Sequence, residues 1–481
     1  MDRIRHGEGT LCVTIRSLRE CEPPAEVPSR MTARLLVLVI EALSSACAAD
    51  HAPEPSAHDA PPALAPWSDA WLAREGLRFI EDTPYRRAAL EASLTNHGNL
   101  YSRHRLGSYG LGSRGWDLLP VWNPRSQPVT AARAAALERG ELPELPPDHP
   151  RLWDGTTPTT MAGWVALGRR VFFEFPLRAE VFMEYGLTKP ELVAAVGVER
   201  TADGTIPGLV VFANIDGEIR VGITCAICHS MVSRGAVVAG AARRSFDYGR
   251  LRLAYHRDTG VPVDPEQARR MATWGPGRAD VTEDDNEDPV AIPDLWGLRA
   301  QRWLTAAGTI RHDSPLALAI RQDTQLIDAN HQRIRPSRVL AWALAMYLYS
   351  LEPPPTRDGT NSAEATRGAR VFDNRCRGCH SSPTFGGGVI AAATIGTNPA
   401  LATGRGRGTG SYRVPSLLDV RNGAPYLHDG TVSSLAELLS PRRLDAAYVG
   451  PRGSGAVEGH RAGIDLTTPD RRALIAFLET L

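Results

Sequence analysis

The sequence predicts a mainly α chain made of two copies of one small helical module, with an irregular N-terminal extension in front and a small β-hairpin inserted into the first copy. Three observations predict it. The pattern Cys-x-x-Cys-His occurs as Cys225-Ala226-Ile227-Cys228-His229 and again as Cys376-Arg377-Gly378-Cys379-His380. Each occurrence sits inside a longer segment that recurs in the same order. Each segment then closes on an apolar run, residues 344–351 and 474–481.

Residues 1–48 read as a leader region. Met31-Thr32-Ala33-Arg34, the apolar run Leu35-Leu36-Val37-Leu38-Val39-Ile40 and the small residues Ser44-Ser45-Ala46-Cys47-Ala48 have the layout of a secretory signal, too short to span a bilayer. Translation is expected to start at Met31 and the product to be exported, to the periplasm or beyond. Cys47 lies in an imperfect lipidation box, so a membrane is a partner only if Cys47 is lipidated. Seven cysteines occur; Cys12, Cys21 and Cys47 fall in the leader, leaving no disulfide framework beyond it. Residues 49–156 form the extension, with Trp67, Trp71, Trp116 and Trp122 scattered among Pro, Gly and Arg. They read as an irregular wrap over a scaffold, its aromatics used for packing.

The first copy, residues 157–353, opens with Gly168-Arg169-Arg170-Val171-Phe172, matched by Gly368-Ala369-Arg370-Val371-Phe372 in the second, residues 354–481. Ile292-Pro293-Asp294-Leu295 through Gly308-Thr309-Ile310 matches Val414-Pro415-Ser416-Leu417 through Gly430-Thr431-Val432 without a gap. Glu352-Pro353-Pro354-Pro355 ends the helix before it and separates the copies. In the first copy, Leu209-Val210-Val211-Phe212 and Glu218-Ile219-Arg220-Val221 flank Asp216-Gly217, a hairpin signal.

The repeated cysteines carry the chemistry. Two thiols three positions apart reach the two vinyl groups of one porphyrin, and the adjoining imidazole reaches its iron, so the two motifs predict two covalent haem c groups. A zinc cage is the competing reading. Paired zinc knuckles sit roughly 15–20 residues apart, far closer than Cys228 and Cys376, and zinc needs no histidine after both pairs. The modules are therefore read as tandem cytochrome c domains. Lys+Arg and Asp+Glu balance at 54 each, which excludes the net field expected of a nucleic-acid partner.

His229 and His380 are the proximal iron ligands. No methionine lies beyond Met346, so the second iron has no thioether ligand available in its own domain. His428, His460, Tyr426 and Tyr448 remain, and His428 is the first choice as sixth ligand. Opposite His428 in the repeat falls Ala306, which leaves the first iron with a vacant face unless His256, His312 or His331 swings in. A closed iron moves electrons; an open one activates peroxide or dioxygen. Arg311 and His312 are the expected acid–base side chains at the open iron, and Trp303 a candidate electron relay. His97 and His104 could reach a haem but are more simply solvated loop residues. The acidic run Glu283-Asp284-Asp285-Asn286-Glu287-Asp288 could hold calcium, although such a run is ordinarily a solvated loop.

Tandem Cys-x-x-Cys-His domains, Tyr412-Arg413-Val414-Pro415-Ser416-Leu417 and Ala424-Pro425-Tyr426-Leu427-His428-Asp429-Gly430-Thr431 together resemble the bacterial di-haem cytochrome c peroxidase superfamily, which includes MauG-type enzymes and rubber oxygenases. The resemblance covers roughly residues 157–481. It implies a catalytic N-terminal haem, an electron-relaying C-terminal haem, a small oxidant (hydrogen peroxide or dioxygen), and a soluble redox partner or organic substrate. The long extension and the histidine in the last block look more like the rubber oxygenase branch, without carrying its polymer substrate. The alternative is a di-haem electron carrier in which both irons are six-coordinate and nothing is turned over.

Overall fold

The computed structural model describes residues 64–280, 289–355 and 362–481. The leader with Cys12, Cys21, Met31 and Cys47, and the acidic run expected to hold calcium, lie outside the described residues. The chain is mainly helical, with small two-stranded ladders and one four-stranded sheet.

Two crossed helix pairs carry the duplication. Met161–Glu174 packs on Arg338–Tyr349, and Ala363–Arg375 packs on Thr468–Leu478. Thr160 and Ser362 cap the opening helices by accepting from the backbone N–H of Gly163 and Ala365 at 3.1 and 3.0 Å. Each crossing depends on a glycine at the matched point. A Cβ on Gly168 would lie 1.9 Å from the carbonyl oxygen of Ala343, and one on Gly368 would lie 1.9 Å from that of Ala473. Any side chain there would push two backbones apart.

The block after the cysteines is duplicated down to its backbone. Thr305 and Leu427 have φ of 69° and 68°, and Gly308 and Gly430 have 62° and 64°. The left-handed region is costly for Thr and Leu, yet both copies keep it. In each, the next residue, Ala306 or His428, lines the same cavity.

The expected hairpin is present. Leu209–Ala213 pairs antiparallel with Ile219–Ile223 around Asp216-Gly217, where Gly217 takes φ 84°. Ser126–Pro128 and Arg178–Ala179 extend it to four strands. All five residues of the first hairpin strand are buried, so the insertion contributes core as well as surface.

The extension is more regular than the wrap expected of it. Asp69–Glu81, Thr83–Ser93, Leu100–Ser108 and Ala131–Glu138 are helical. The first three start on their own caps: Ser68, Asp82 and Asn99 accept from the backbone N–H groups of Trp71, Tyr85 and Ser102. Close packing and buried charge hold them down. A Cβ on Gly76 would lie 2.6 Å from Nε1 of Trp342. Tyr109 donates its hydroxyl to Asp323 Oδ2 at 3.0 Å, Arg338 lies between Asp117 and Asp323, and Arg105 pairs with Asp328 at 2.8 Å. Trp116 is buried, while Trp67, Trp71 and Trp122 are half-buried against the core.

Candidate di-haem site

Both Cys-x-x-Cys-His segments face one cavity of about 1330 Å³, walled by Cys225, Cys228 and His229 from one copy and Cys376, Cys379 and His380 from the other. Pockets for one small molecule run to ~1,000 Å³, so the space suits more than one large planar group. In the second motif the N–H groups of Cys379 and His380 both bond to the carbonyl of Cys376, at 3.0 and 2.9 Å; in the first, His229 bonds back to Cys225 at 3.1 Å. These turns set two thiols and an imidazole at one part of the wall.

The zinc reading fails on geometry. Among the described residues no group of three or more His, Cys, Asp or Glu side chains could hold a metal ion. Burial pushes the Cys225 thiol up to about 12 and the Cys228 thiol to about 11, so both rest as neutral thiols.

Each proximal histidine is oriented by backbone. Nδ1–H of His229 donates to the carbonyl of Pro293 at 3.1 Å, and that of His380 donates to the carbonyl of Phe385 at 2.8 Å, with the Pro415 carbonyl beside it. Pro293 and Pro415 are matched positions of the repeat. With Nδ1 carrying the proton, Nε2 is left as a neutral donor toward the cavity. Burial lowers His229 to about 4 and lowers His380 as well.

The far sides differ. The ring of His460 stands 6.4 Å from that of His380, centre to centre. With metal–nitrogen bonds of ~2 Å and each ring centre about 1 Å further, imidazoles bound to opposite faces of one metal would stand roughly 6 Å apart. His460 has φ 40°, and its Nδ1 is buried without a hydrogen-bond partner. Burial first, then the nearby His380, pushes it down to about 4.

His428, the expected sixth ligand, is engaged elsewhere. The Tyr412 hydroxyl donates to the Asn398 carbonyl at 2.5 Å and lies 3.1 Å from Nε2 of His428, with the two rings stacked at 4.2 Å. The contrast with Ala306 favoured His428 in the sequence; His460 sits in a loop without periodic pattern, where only the left-handed backbone turns it inward.

The first copy offers no equivalent ring. Among the described residues lining the cavity, the histidines are His229, His380, His428 and His460. His256, His312 and His331 are not in the wall. Instead, Leu318, Arg321, Gln322, Gln325 and Ala329 line it from one face of the helix Pro315–Ala329. The charge of Arg321 acts on both Cys225 and His229.

This face supplies the polar groups that sequence reasoning assigned to Arg311 and His312. Arg311 is exposed and paired with Asp313. His312 is buried, bonded through Nδ1 to the Gln301 carbonyl at 2.7 Å and through Nε2 to the Tyr349 hydroxyl at 2.5 Å. Trp303 pairs with Arg311 in a short ladder, and its Nε1 lies 3.9 Å from where a Cβ on Gly388 would be, against the loop after the second Cys-His. His97 is exposed, and His104 bonds Asp328 at 3.1 Å.

Arg413 completes the fit. Its guanidinium donates to Gln301 Oε1 and to the Thr305 carbonyl, both uncharged acceptors. It is half-exposed because the cavity opens beside it, and desolvation lowers it to about 10. A cation so placed favours an anion in the cavity. Two haems, with carboxylates on an apolar ring, match the thiols, the oriented imidazoles and this charge.

The methylamine utilization protein MauG of Methylorubrum extorquens is 27% identical over 223 residues, covering 43% of this chain and 59% of MauG. This similarity supports a relation to the bacterial di-haem cytochrome c peroxidase superfamily. The similarity spans about three fifths of the length of MauG. No family model matches the chain. Two solved structures are similar over smaller shares of this chain than of their own: a MauG-like protein associated with microbial copper homeostasis (18% identity, 43% of this chain and 78% of that one, TM-score 0.33) and Kuenenia stuttgartiensis hydrazine synthase (17%, 44% and 79%, TM-score 0.28).

Proposed function

We propose that the chain is an exported, periplasmic di-haem c-type cytochrome oxidoreductase in which the site on Cys225, Cys228 and His229 meets hydrogen peroxide or dioxygen, and the site on Cys376, Cys379, His380 and His460 relays electrons to or from a soluble redox partner or organic substrate. One observation carries the reading: His380 is faced by a second imidazole at 6.4 Å, and His229 is not. When bound, c-type haems supply one-electron chemistry and, where a coordination position is open, oxidant activation.

The chain's own residues divide the work. Carbonyls of Pro293 and Phe385 hold the proton on each proximal Nδ1 and fix each ring. Arg321, Gln322 and Gln325 present hydrogen-bond donors to the space over the first site. Leu318 and Leu304 exclude water from it, and Arg413 draws an anionic group to the wall between the copies. His428 and Tyr412 close the wall as a hydrogen-bonded stack. Trp303, packed on the loop after His380, is placed to shorten an electron path between the copies.

Electron paramagnetic resonance and carbon monoxide titration test this. One high-spin and one low-spin ferric haem, with carbon monoxide bound by one reduced haem per chain, is the expected result. Two low-spin haems indifferent to carbon monoxide and peroxide would leave an electron carrier instead.

A further inference from the structure

Beside the cavity wall, outside the groups used above, lies a cluster of oxidisable side chains with a proton acceptor built in. The Tyr349 hydroxyl donates to Nε2 of His312 at 2.5 Å, and Nδ1–H of His312 donates to the Gln301 carbonyl at 2.7 Å. The ring of Trp67 stands 5.6 Å from that of Tyr349, 5.7 Å from that of His312 and 5.8 Å from that of Trp71. Both tryptophans are half-exposed. At the inner end, Gln301 and Leu348 line the cavity. The cluster therefore spans from cavity wall to surface.

Packing alone does not account for it. A core needs no phenol-to-imidazole hydrogen bond, and Trp67 is held at φ 66°, a costly conformation for a bulky residue, with Arg299 donating to its carbonyl. That conformation sets the indole against both members of the pair. Burial lowers His312, keeping it a neutral acceptor, and raises Tyr349 well above the ordinary tyrosine range. A buried phenol that cannot ionise loses an electron readily only if its proton has somewhere to go.

We propose that Tyr349 and His312 form a proton-coupled redox station through which Trp67 and Trp71 pass electrons from a donor outside the cavity to the oxidised first site. The inference rests on the function proposed above for its oxidant, a c-type haem oxidised by peroxide. Tyr349 gives up one electron to that oxidant, which is reduced by one. The phenolic O–H bond breaks, and its proton forms an N–H bond at Nε2 of His312, leaving a neutral phenoxyl radical beside an imidazolium whose Nδ1–H stays on Gln301. An electron arriving through Trp67, with the proton returned by His312, restores the phenol. The donor needs no access to iron, so the station suits a one-electron donor too large for the cavity.

The holoprotein, mixed with one equivalent of hydrogen peroxide, is followed by Soret absorbance and by freeze-quench electron paramagnetic resonance. The expected result is a haem change in wild type and in Tyr349→Phe alike, with an organic radical that narrows on ring-deuteration of tyrosine and is absent from Tyr349→Phe. The same radical persisting in Tyr349→Phe overturns the station while leaving the peroxide reading intact. An unresponsive Soret band counts against the peroxide reading instead, and the station is then judged from its outer end. Azidyl radicals from pulse radiolysis oxidise exposed tryptophan, and the indolyl signal should pass to a tyrosyl signal in wild type. Trp67→Phe or Tyr349→Phe should abolish that transfer, and His312→Gln should slow it by roughly 100-fold and remove its solvent isotope effect. Transfer that is absent in wild type, or unchanged in all three variants, overturns the proposal.

Discussion

Replacing His460 with Ala removes the ring that faces His380, and its consequences follow from the surroundings of that ring. Burial and the neighbouring His380 bring His460 from the ordinary 6.5 down to about 4. That gap corresponds to about 3 kcal/mol against the charged ring. The sign is that of a lowered histidine: the folded protein binds fewer protons than the unfolded chain between those two values, so stability falls as pH drops from 6.5 toward 4, and above 6.5 nothing is lost. The neutral nitrogen needed by iron thus stays available well below the pH at which a solvated histidine is protonated. The wild-type low-spin signal should survive from pH 7 to near pH 5, where an ordinary imidazole of pKa ≈ 6.5 is mostly charged. His460→Ala should convert it to high spin at every pH and raise carbon monoxide binding from about one to about two per chain. His428→Ala should leave spin state and stoichiometry unchanged, because its Nε2 is engaged by the Tyr412 hydroxyl. The reverse pattern, with His428→Ala altering the second haem and His460→Ala silent, would refute the assignment.

Other outcomes follow from the same geometry. Gly168→Ala or Gly368→Ala places a Cβ 1.9 Å from a helix carbonyl and should cost about 1–3 kcal/mol or more, seen as a lowered thermal midpoint with haem content intact. Arg413→Gln removes a positive charge from the cavity wall and should lower at least one haem midpoint potential in a spectroelectrochemical titration; unchanged potentials would mean that its charge is neutralised by something other than haem. Cys225→Ala with Cys228→Ala should leave one covalent haem by mass spectrometry, and the survivor should be low-spin. Gln322→Leu should slow the reaction with peroxide by roughly 10²-fold or more while leaving carbon monoxide stoichiometry unchanged.

The fold was legible where the sequence repeats itself. Gly168 and Gly368, and the ungapped match from Pro293 to Pro415, are recognisable as letters, and their reason appears only in the backbone: matched glycines admit a helix carbonyl, matched prolines receive the proximal imidazoles. The Asp216-Gly217 hairpin was equally readable, since turn and strand signals agree. The helices of the extension were announced by Ser68, Asp82 and Asn99, yet Pro, Gly and Arg around them diluted the periodicity, and packing on Trp342 and the Asp323 network decides the outcome. The two Cys-x-x-Cys-His segments were readable, and both face one cavity. The rest of the wall was not, because His460 enters it through a left-handed turn in an irregular loop, and because Arg311, His312 and the helix beginning at Pro315 are neighbours in sequence that point to different places. His312 turned to Tyr349 and left the cavity to Gln322.

The difference between the two sites is decided in the connection from the repeated block to the closing helix, not in the block itself. Up to Gly308 and Gly430 the backbones agree in hand and conformation. Beyond them, the first copy continues into a long helix, Pro315–Ala329, whereas the second runs through short turns and a loop that bends His460 inward. A regular helix lays a fixed row of side chains over the cavity and cannot swing one histidine across it; an irregular loop can. The extension holds that helix, since Tyr109 bonds Asp323, and Arg105 and His104 bond Asp328, which itself lines the cavity. The N-terminal helices thereby fix the helix that lies over the first Cys-x-x-Cys-His site. Their role is set by the helix they clamp, even though none of their described residues lines the cavity.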